Sequence, residues 1–191
     1  MSKKINLILA IHNHQPIGNF DNVISEACDK AYKPFLDILH KYPSLKVSIH
    51  FSGCLLEWIG INKPDMIAQI RHLVNRNQIE LMGGGFYEPI MVMLPERDRI
   101  GQIERYADYL QKYFECKIRG MWVPERVWEQ NLTKTFADAS MEYTVLDDSH
   151  FKYAGLEDHQ LTGYYVTEDQ GRTVKIFPAS ELLRYYIPFE E

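Results

Sequence analysis

Ile5-Asn-Leu-Ile-Leu-Ala-Ile11 runs without a break into His12-Asn-His-Gln-Pro16. The first stretch is almost entirely apolar and has the length of a β-strand that is covered on both faces. The second is polar, and its two histidines alternate, so they face the same side if the strand continues through them. The same order, an apolar strand followed at once by unusual polar residues, recurs along the chain and decides how it folds.

Four further strands are predicted, and amphipathic helical patterns separate them. The predicted strands cover residues 45–51, 78–82, 120–123 and 142–146. The helical patterns cover residues 21–42, where Pro34 divides the segment in two, a stretch beginning at Pro64, residues 97–114, and a short stretch after Trp128. This alternation predicts an α/β fold with parallel strands and right-handed crossovers.

The pattern changes after about residue 155. Residues 163–167 and 174–177 flank a loop of turn-forming residues, which predicts a small β-hairpin insertion near residues 160–178. Five βα units are too few to close an eight-stranded barrel. The sheet is therefore expected to stay open, or to belong to a larger domain.

Composition excludes several classes of protein. The chain has 191 residues, of which 46% are hydrophobic and 25% charged, enough for a sizeable core, and its formal net charge of -5 argues against a nucleic-acid partner. No apolar stretch approaches the ~20 residues that cross a bilayer, and the start Met1-Ser-Lys-Lys lacks the apolar segment of a signal peptide. Three widely spaced cysteines without a CxxC pair predict reduced thiols and a cytoplasmic location.

Polar side chains follow each of the five predicted strands. Because the carboxyl ends of parallel strands share one edge of a sheet, these residues are expected to form one site. They are His12 and His14, His50, Glu88, Glu125 with Arg126, and Asp147 with Asp148.

The segment Trp122-Val-Pro-Glu-Arg-Val-Trp128 places a carboxylate between two indoles and beside a guanidinium. Aromatic rings stack on the apolar faces of sugars, and a carboxylate can meet the positive charge that develops at an anomeric carbon. Arg126 would keep Glu125 ionised. The alternative is a surface Glu–Arg pair beside tryptophans that belong to the core.

The paired histidines allow three interpretations. His12 and His14 have the alternation of ligands for zinc or another divalent metal, with Asp147 or Asp148 as a third ligand. They also suit hydrogen bonding to sugar hydroxyls, or a satisfied pair in the core. His50 also fits a purely structural role.

Six segments resemble glycoside hydrolase family 57, specifically the N-terminal part of its 4-α-glucanotransferase and α-amylase members. They match in order along essentially the whole chain. The segments are Ile11-His-Asn-His-Gln-Pro16, Val47-Ser-Ile-His-Phe-Ser-Gly53, Gly85-Phe-Tyr-Glu-Pro89, Trp122-Val-Pro-Glu-Arg-Val-Trp128, Leu146-Asp-Asp-Ser-His-Phe151 and Leu183-Arg-Tyr-Tyr-Ile-Pro-Phe189.

The resemblance implies a partial (β/α)7 barrel, an incomplete relative of the eight-stranded form. Residues 1–191 would be the N-terminal portion of this single catalytic domain, with the C-terminal part of the barrel absent. It also implies a retaining mechanism on α-1,4-glucans or maltooligosaccharides, with no cofactor and no metal. Glu125 falls on the family's nucleophile. The remaining residues expected to bind substrate are His12, His14, Gln15, His50, Glu88, Trp122, Arg126 and Asp148.

The chain departs from the family in one respect. The family's acid/base is an aspartate in a later Asp-Asp-Gly-Glu-like motif, and no such motif occurs before Glu191. We therefore expect the nucleophile half of a site, little turnover, and self-association through exposed barrel edges. The competing hypotheses are a metal-dependent polysaccharide deacetylase, which would contain zinc, and a carbohydrate-binding fragment without catalytic activity.

Overall fold

The computed structural model describes the backbone of residues 6–189 and the side chains of residues 6–187. The start Met1-Ser-Lys-Lys and Ile5, the first residue of the first predicted strand, lie outside the described residues. Within them the chain forms seven strands. These are Ala10–Asn13 (β1), Val47–Phe51 (β2), Ile79–Met82 (β3), Gly120–Trp122 (β4), Tyr143–Asp147 (β5), Tyr165–Asp169 (β6) and Arg172–Ala179 (β7).

The strands form two sheets that meet along one line. The orders are β1-β2-β3 and β4-β5-β7-β6, with every neighbouring pair parallel except β6 and β7. A parallel bridge between Gly83 and Met121 joins β3 to β4, where the Gly83 N–H donates to Gly120 O and the Trp122 N–H donates to Gly83 O, both at 2.8 Å. The predicted α/β fold with parallel strands is confirmed.

Helices connect the strands; those within residues 21–41, 64–75, 96–114 and 132–138 follow the predicted amphipathic patterns, whereas those at residues 53–62, 148–153 and 181–189 were not predicted. Their bounds are Asp21–Ala27 (α1), Lys33–Lys41 (α2), Gly53–Asn62 (α3), Pro64–Asn75 (α4), Glu96–Phe114 (α5), Leu132–Asp138 (α6), Asp148–Tyr153 (α7) and Glu181–Phe189 (α8). Short 3-10 turns occur at Met91–Met93, Pro124–Arg126 and Asp158–Gln160.

The first helical segment is divided near Pro34 as predicted, but a π-helical turn rather than a loop separates the two α-helices. A π-helical turn, Cys28–Tyr32, lies between α1 and α2, and Pro34 occupies the first turn of α2. The Lys33 N–H donates to Cys28 O, five residues back. Because a proline has no N–H to donate, the wider turn accommodates it without ending the helix.

The core lies between the helices and one face of the sheets. In β5 the side chains of Thr144 and Leu146 are buried, whereas those of Tyr143, Val145 and Asp147 are only half-buried. The expectation of burial on both faces is therefore wrong for this strand, because helices cover one face and the other borders an open hollow. The largest fully buried side chains are those of Tyr106, Phe51, Phe86, Phe114 and Phe136.

The sheet curls but does not close within the described residues. Side chains from β2, β3, β5 and β7, together with Ile8 before β1, line one cavity of about 230 Å³. A single cavity lined from both sheets requires the strands to curve around it. Strands β1 and β6 remain as edges. The curvature agrees with part of a barrel, while a closed barrel is not seen.

The predicted hairpin is present, but it is not an insertion. Strands β6 and β7 pair antiparallel across Gln170 and Gly171, whose φ values of 50° and 76° suit a tight hairpin turn. Strand β7 also pairs with β5 in parallel over five residues, from Tyr143–Lys175 to Asp147–Ala179. The hairpin is therefore part of the main sheet, because its second strand completes the ladder beside β5.

Between residues 6 and 189, no helix combines the length and the apolar character needed to span a bilayer.

Candidate active site

The carboxyl ends of the parallel strands meet at one edge, as predicted. His12 and His50 are register partners at the ends of β1 and β2, and Trp122 and Asp147 end β4 and β5. The loops after β3 and β4 add Glu88 and Glu125. The resulting cluster contains His12, His14, His50, Glu88, Trp122, Glu125, Arg126 and Asp147.

Three side chains at this edge form a connected polar group. The Nδ1 atoms of His12 and His50 lie 2.8 Å apart and share a hydrogen bond. Their Nε2 atoms face the two oxygens of Glu88, at 3.8 Å from His12 and 3.3 Å from His50. The His50 side chain is fully buried and that of Glu88 is 7% exposed. These groups must therefore make their polar contacts with one another rather than with water.

Gly84 allows this contact between strands. A Cβ atom at position 84 would lie 2.6 Å from His50 Nε2 and 3.3 Å from Glu88 Oε1. The sequence predicts a close approach at the Gly83-Gly84-Gly85 run. The structure shows that the approaching group is a buried imidazole.

Burial keeps the whole group uncharged at neutral pH. Burial, and then the charge of His14 and of Arg126, lowers the pKa of His12 to about 4. Burial also lowers the pKa of His50 well below its ordinary value. In the opposite direction, burial and then the charge of Glu125 raise the pKa of Glu88 to about 8. One proton lies between the two Nδ1 atoms, so one neutral ring presents an Nε2 lone pair that the Glu88 O–H can meet.

Trp122 is part of this site, whereas Trp128 is not. The Trp122 ring lies 4.6 Å from the His12 ring with an interplanar angle of 6°, a stacked arrangement. The His14 ring is stacked on that of His12 at 5.7 Å. Trp128 instead packs edge-on against Phe136 in the core, at 5.8 Å. The expected pair of indoles around the carboxylate is therefore a single indole.

Glu125 is presented by a strained turn. Its φ of 52° and that of Arg126, 53°, both lie in the left-handed region. Each such residue costs roughly 1–2 kcal/mol relative to a right-handed conformation, and strain of this kind clusters at functional sites. The Glu125 side chain is exposed toward solvent. It still lies close enough to raise the pKa of Glu88 and to oppose the burial that lowers the pKa of His14.

Asp147 holds this turn in place. The Arg126 Nε lies 2.9 Å from Asp147 Oδ2, and Arg184 Nη1 from α8 lies 3.2 Å from the same oxygen. His150 Nε2 lies 3.0 Å from the carbonyl oxygen of Arg126. The guanidinium that was expected to keep Glu125 ionised is instead paired with Asp147.

Two predicted substrate-binding residues have other partners. Asp148 Oδ2 lies 3.4 Å from Lys152 Nζ within α7. Gln15 donates to Tyr32 Oη at 3.0 Å and accepts from Asn19 Nδ2 at 2.7 Å, so it braces its own loop. Sequence reasoning placed Asp147 among the polar residues at the strand ends and considered it as a metal ligand, but it missed the pairing of Asp147 with Arg184, a charge inside the apolar run 182–187.

One group of side chains has the composition of a metal site. His12, His14 and Glu88 each offer one ligand atom, and these atoms all lie within 4.8 Å of one another. The third ligand expected from the sequence, Asp147 or Asp148, is engaged by Arg126 and Arg184 or by Lys152. The carboxylate beside the histidines is Glu88.

The fold and the site define a parallel α/β protein whose sheet edge carries two carboxyl groups beside stacked imidazole and indole rings. Residues 8–191 match the family model described as glycosyl hydrolase family 57. The chain therefore belongs to glycosyl hydrolase family 57, and the resemblance predicted from its six segments is confirmed.

Individual relatives agree with this assignment. The chain is 48% identical to a 4-alpha-glucanotransferase of Thermococcus litoralis over 98% of this chain, and 50% identical to an alpha-amylase of Pyrococcus abyssi over 97%. It spans 28% of the length of each. The crystal structure of the Thermococcus litoralis enzyme superposes with a TM-score of 0.93 and 48% identity, covering 96% of this chain and 29% of that one.

Proposed function

We propose that this chain carries the nucleophile side of a retaining glycosidase or transglycosylase that acts on α-1,4-glucans, with Glu125 as the nucleophile. The observation that carries the proposal is the strained turn, which presents an accessible carboxylate close enough to the neutral Glu88 to raise its pKa. In a retaining reaction such a carboxylate attacks the anomeric carbon and forms a covalent glycosyl-enzyme. The substrate class is taken from the relatives, which are a 4-alpha-glucanotransferase and an alpha-amylase.

The side chains that neighbour Glu125 at the carboxyl ends of the strands suit a sugar. Trp122, stacked with His12, offers an apolar ring face for a pyranose. Glu88, neutral near pH 7, can accept a hydrogen bond from a sugar hydroxyl without placing a second negative charge beside Glu125. We propose that His12, His14, Glu88 and Trp122 contact the sugar that Glu125 attacks. His50 and Arg126 act through them by positioning Glu88 and the turn.

The proton for the leaving group has a separate source in this proposal. Glu88 is mostly buried and faces His12 and His50, so its proton is directed into the protein. We propose that the general acid/base lies outside the described carboxylates, in the rest of a (β/α)7-barrel catalytic domain. A cytoplasmic location for this activity stays a prediction from the cysteine spacing.

An activated donor tests the nucleophile without requiring an acid. Fluoride leaves without protonation, so 5-fluoro-α-D-glucosyl fluoride should label the 191-residue chain with one glycosyl group, detected by intact mass and mapped by peptide sequencing to Glu125. Glu125→Gln should give no adduct. Glu129→Gln, which removes an exposed carboxylate four residues away, should be labelled like the parent chain. An adduct on any other residue would overturn the assignment.

Conversion of natural substrates tests whether this chain contains a general acid. Maltooligosaccharides have a poor leaving group that needs protonation, so the chain alone should convert them negligibly. Appreciable conversion that Glu88→Gln abolishes would show that Glu88 serves as the acid, against the proposal.

The His12, His14 and Glu88 cluster supports a second candidate, a metal-dependent polysaccharide deacetylase. Such an enzyme would use a metal-bound water to hydrolyse an ester or amide. It predicts release of acetate from acetylated xylan or chitin oligosaccharides when Zn²⁺ is supplied. The glycosidase proposal predicts none.

A carbohydrate-binding fragment is the third candidate, and it predicts binding without chemistry. Calorimetric titration with maltooligosaccharides would then give the same affinity for the parent chain and for Glu125→Gln. The fluoride donor would label neither chain.

A further inference from the structure

We propose that His12, His14 and Glu88 bind one divalent late transition metal ion, such as Zn²⁺. This ion competes with a glucan for the place beside these three side chains. The three side chains supply two imidazole nitrogens and one carboxylate oxygen, and their ligand atoms all lie within 4.8 Å of one another. Nothing in the family assignment or in the proposed glycosidase chemistry requires this ion. The inference goes beyond the proposed function, since the metal would inhibit the site rather than serve it.

The distances fit a metal ion with small adjustment. Zinc forms bonds of about 2.0–2.1 Å to nitrogen and oxygen, so two tetrahedral ligands lie roughly 3.4 Å apart. His12 Nε2 and Glu88 Oε2 are 3.8 Å apart, which leaves room for one ion between them. His14 is half-buried one residue beyond β1, and its ligand atom lies within 4.8 Å of the other two.

Two observations indicate that the ligand atoms are available. Among the described residues, His14 Nδ1 is buried and has no hydrogen-bond partner, and Glu88 Oε1 and His50 Nε2, which also lack one, face each other at 3.3 Å. Buried polar atoms are nearly always satisfied, so unpartnered ones call for an explanation such as an ion. The hydrogen bond from His12 Nδ1 to His50 Nδ1 would also fix the His12 ring with its Nε2 lone pair free, the arrangement typical of metal-binding histidines.

The ligand set selects the class of ion. Imidazole suits Zn²⁺, Ni²⁺ and Cu²⁺, whereas Mg²⁺ and Ca²⁺ prefer all-oxygen sites. A zinc ion with three protein ligands keeps its fourth coordination position free for water or another ligand. Because Trp122 stacks on His12 at the same place, a bound ion and a sugar ring would occupy overlapping space.

Equilibrium titration of the metal-free 191-residue chain with Zn²⁺, against a chelating dye, tests the site. One ion per chain is expected in the parent. His14→Gln and Glu88→Gln should each weaken binding by at least about tenfold, since even residues that only orient a ligand commonly cost 10–100-fold. Mg²⁺ at the same concentrations should not displace Zn²⁺.

A second histidine pair provides the matched control. The exposed rings of His40 and His72 lie 5.4 Å apart on the surface. The double variant His40→Gln/His72→Gln should keep the parent affinity. Loss of binding in this variant, or unchanged binding in both His14→Gln and Glu88→Gln, would overturn the proposal. Thermal unfolding in the absence of metal checks that each variant is folded, and having two single variants keeps the test valid if one does not fold.

Competition separates this inference from the proposed function. Saturating maltotriose should weaken Zn²⁺ binding to the parent, and an unchanged affinity would overturn the competition. If maltotriose itself does not bind, the glucan proposal fails, whereas the His14 and Glu88 variants still decide the metal site.

Discussion

Glu88 is an acid kept protonated by its surroundings, between two histidines kept neutral by theirs. Its side chain is 7% exposed, and it faces fully buried His50 across 3.3 Å. A charge on any one of the three groups would be costly in this setting. The site is therefore sensitive to pH from both directions, because Glu88 ionises as the pH rises and the histidines protonate as it falls.

Glu88→Gln should remove the alkaline part of this dependence. The folded pKa of Glu88, about 8, lies above the ordinary value of 4.5, so the folded chain keeps a proton that the unfolded chain releases. Its contribution to stability is complete below pH 4.5 and is lost as the pH rises through about 8. The parent should therefore lose up to about 2 kcal/mol relative to Glu88→Gln between pH 6.5 and 8, at most about 1.4 kcal/mol per pH unit.

Urea unfolding of both chains at the two pH values measures this difference. The range from pH 6.5 to 8 lies above the range in which His12 changes its charge. The pKa of His12 is lowered from 6.5 to about 4, so its contribution to stability is lost only as the pH falls from 6.5 through 4. Glu129→Gln, at an exposed carboxylate, should follow the parent. Equal losses of stability in the parent and in Glu88→Gln would show that Glu88 is ionised in the folded chain throughout this range.

The end of β5 links three elements of the site. Asp147 forms an ion pair with Arg126, in the turn after β4, and accepts hydrogen bonds from Arg184 in α8, while His150 of α7 contacts the Arg126 carbonyl. The alternation of side chains along β5 places Asp147 where it can pair with the two arginines. It shares a face of β5 with Tyr143, whereas Asp148 begins α7 and pairs with Lys152.

Asp147→Asn should therefore destabilise the chain far more than Asp148→Asn. Removing the charge leaves two arginines without their common partner, and we expect a loss of about 1–3 kcal/mol in the free energy of unfolding. The Asp148–Lys152 pair is exposed on the lysine side and should be worth less than about 0.5 kcal/mol. Urea unfolding at pH 7 compares the two variants. Similar losses would mean that Asp147 does not hold the turn.

The whole molecule is an open, curled sheet with two edges. Within residues 6–189, strands β1 and β6 each lack a neighbour on one side, and apolar side chains lie exposed near them, Ile8 at 62% and Val166 at 61%. Unpaired strand edges with exposed apolar side chains are templates for pairing between chains. At this scale the chain, which spans 28% of the length of its relatives, is expected to self-associate.

Sedimentation velocity over a range of protein concentrations tests this expectation. The parent should show a rising average mass, and Val166→Lys on β6 should shift the association to higher concentration because an edge lysine disfavours strand pairing. Ile61→Lys is the control, since Ile61 is 80% exposed at the end of α3, away from both edges. A parent chain that stays monomeric throughout would refute the prediction.

The sequence by itself determined the elements and the edge at which they meet. Apolar runs and helical periodicity located most strands and helices, although β1 begins at Ala10 and so overlaps the first predicted strand, 5–11, only at its end, and α3 had no predicted pattern. The alternation of His12 and His14 placed both rings on one side, as their stacking shows. The order of strands and helices fixed a parallel sheet, whose carboxyl ends must share an edge. These features depend on residues close in the chain, so their spacing was sufficient.

Only the tertiary structure decided how the polar side chains pair. The contacts that matter join residues far apart in sequence, such as His12 with His50 and Arg184 with Asp147. Composition cannot distinguish Asp147 from Asp148, or show that Trp128 turns to the core while Trp122 stays at the site. The charge states follow from burial, which exists only once the helices and strands have packed. The chemistry of the site therefore comes from long-range contacts that no local pattern records.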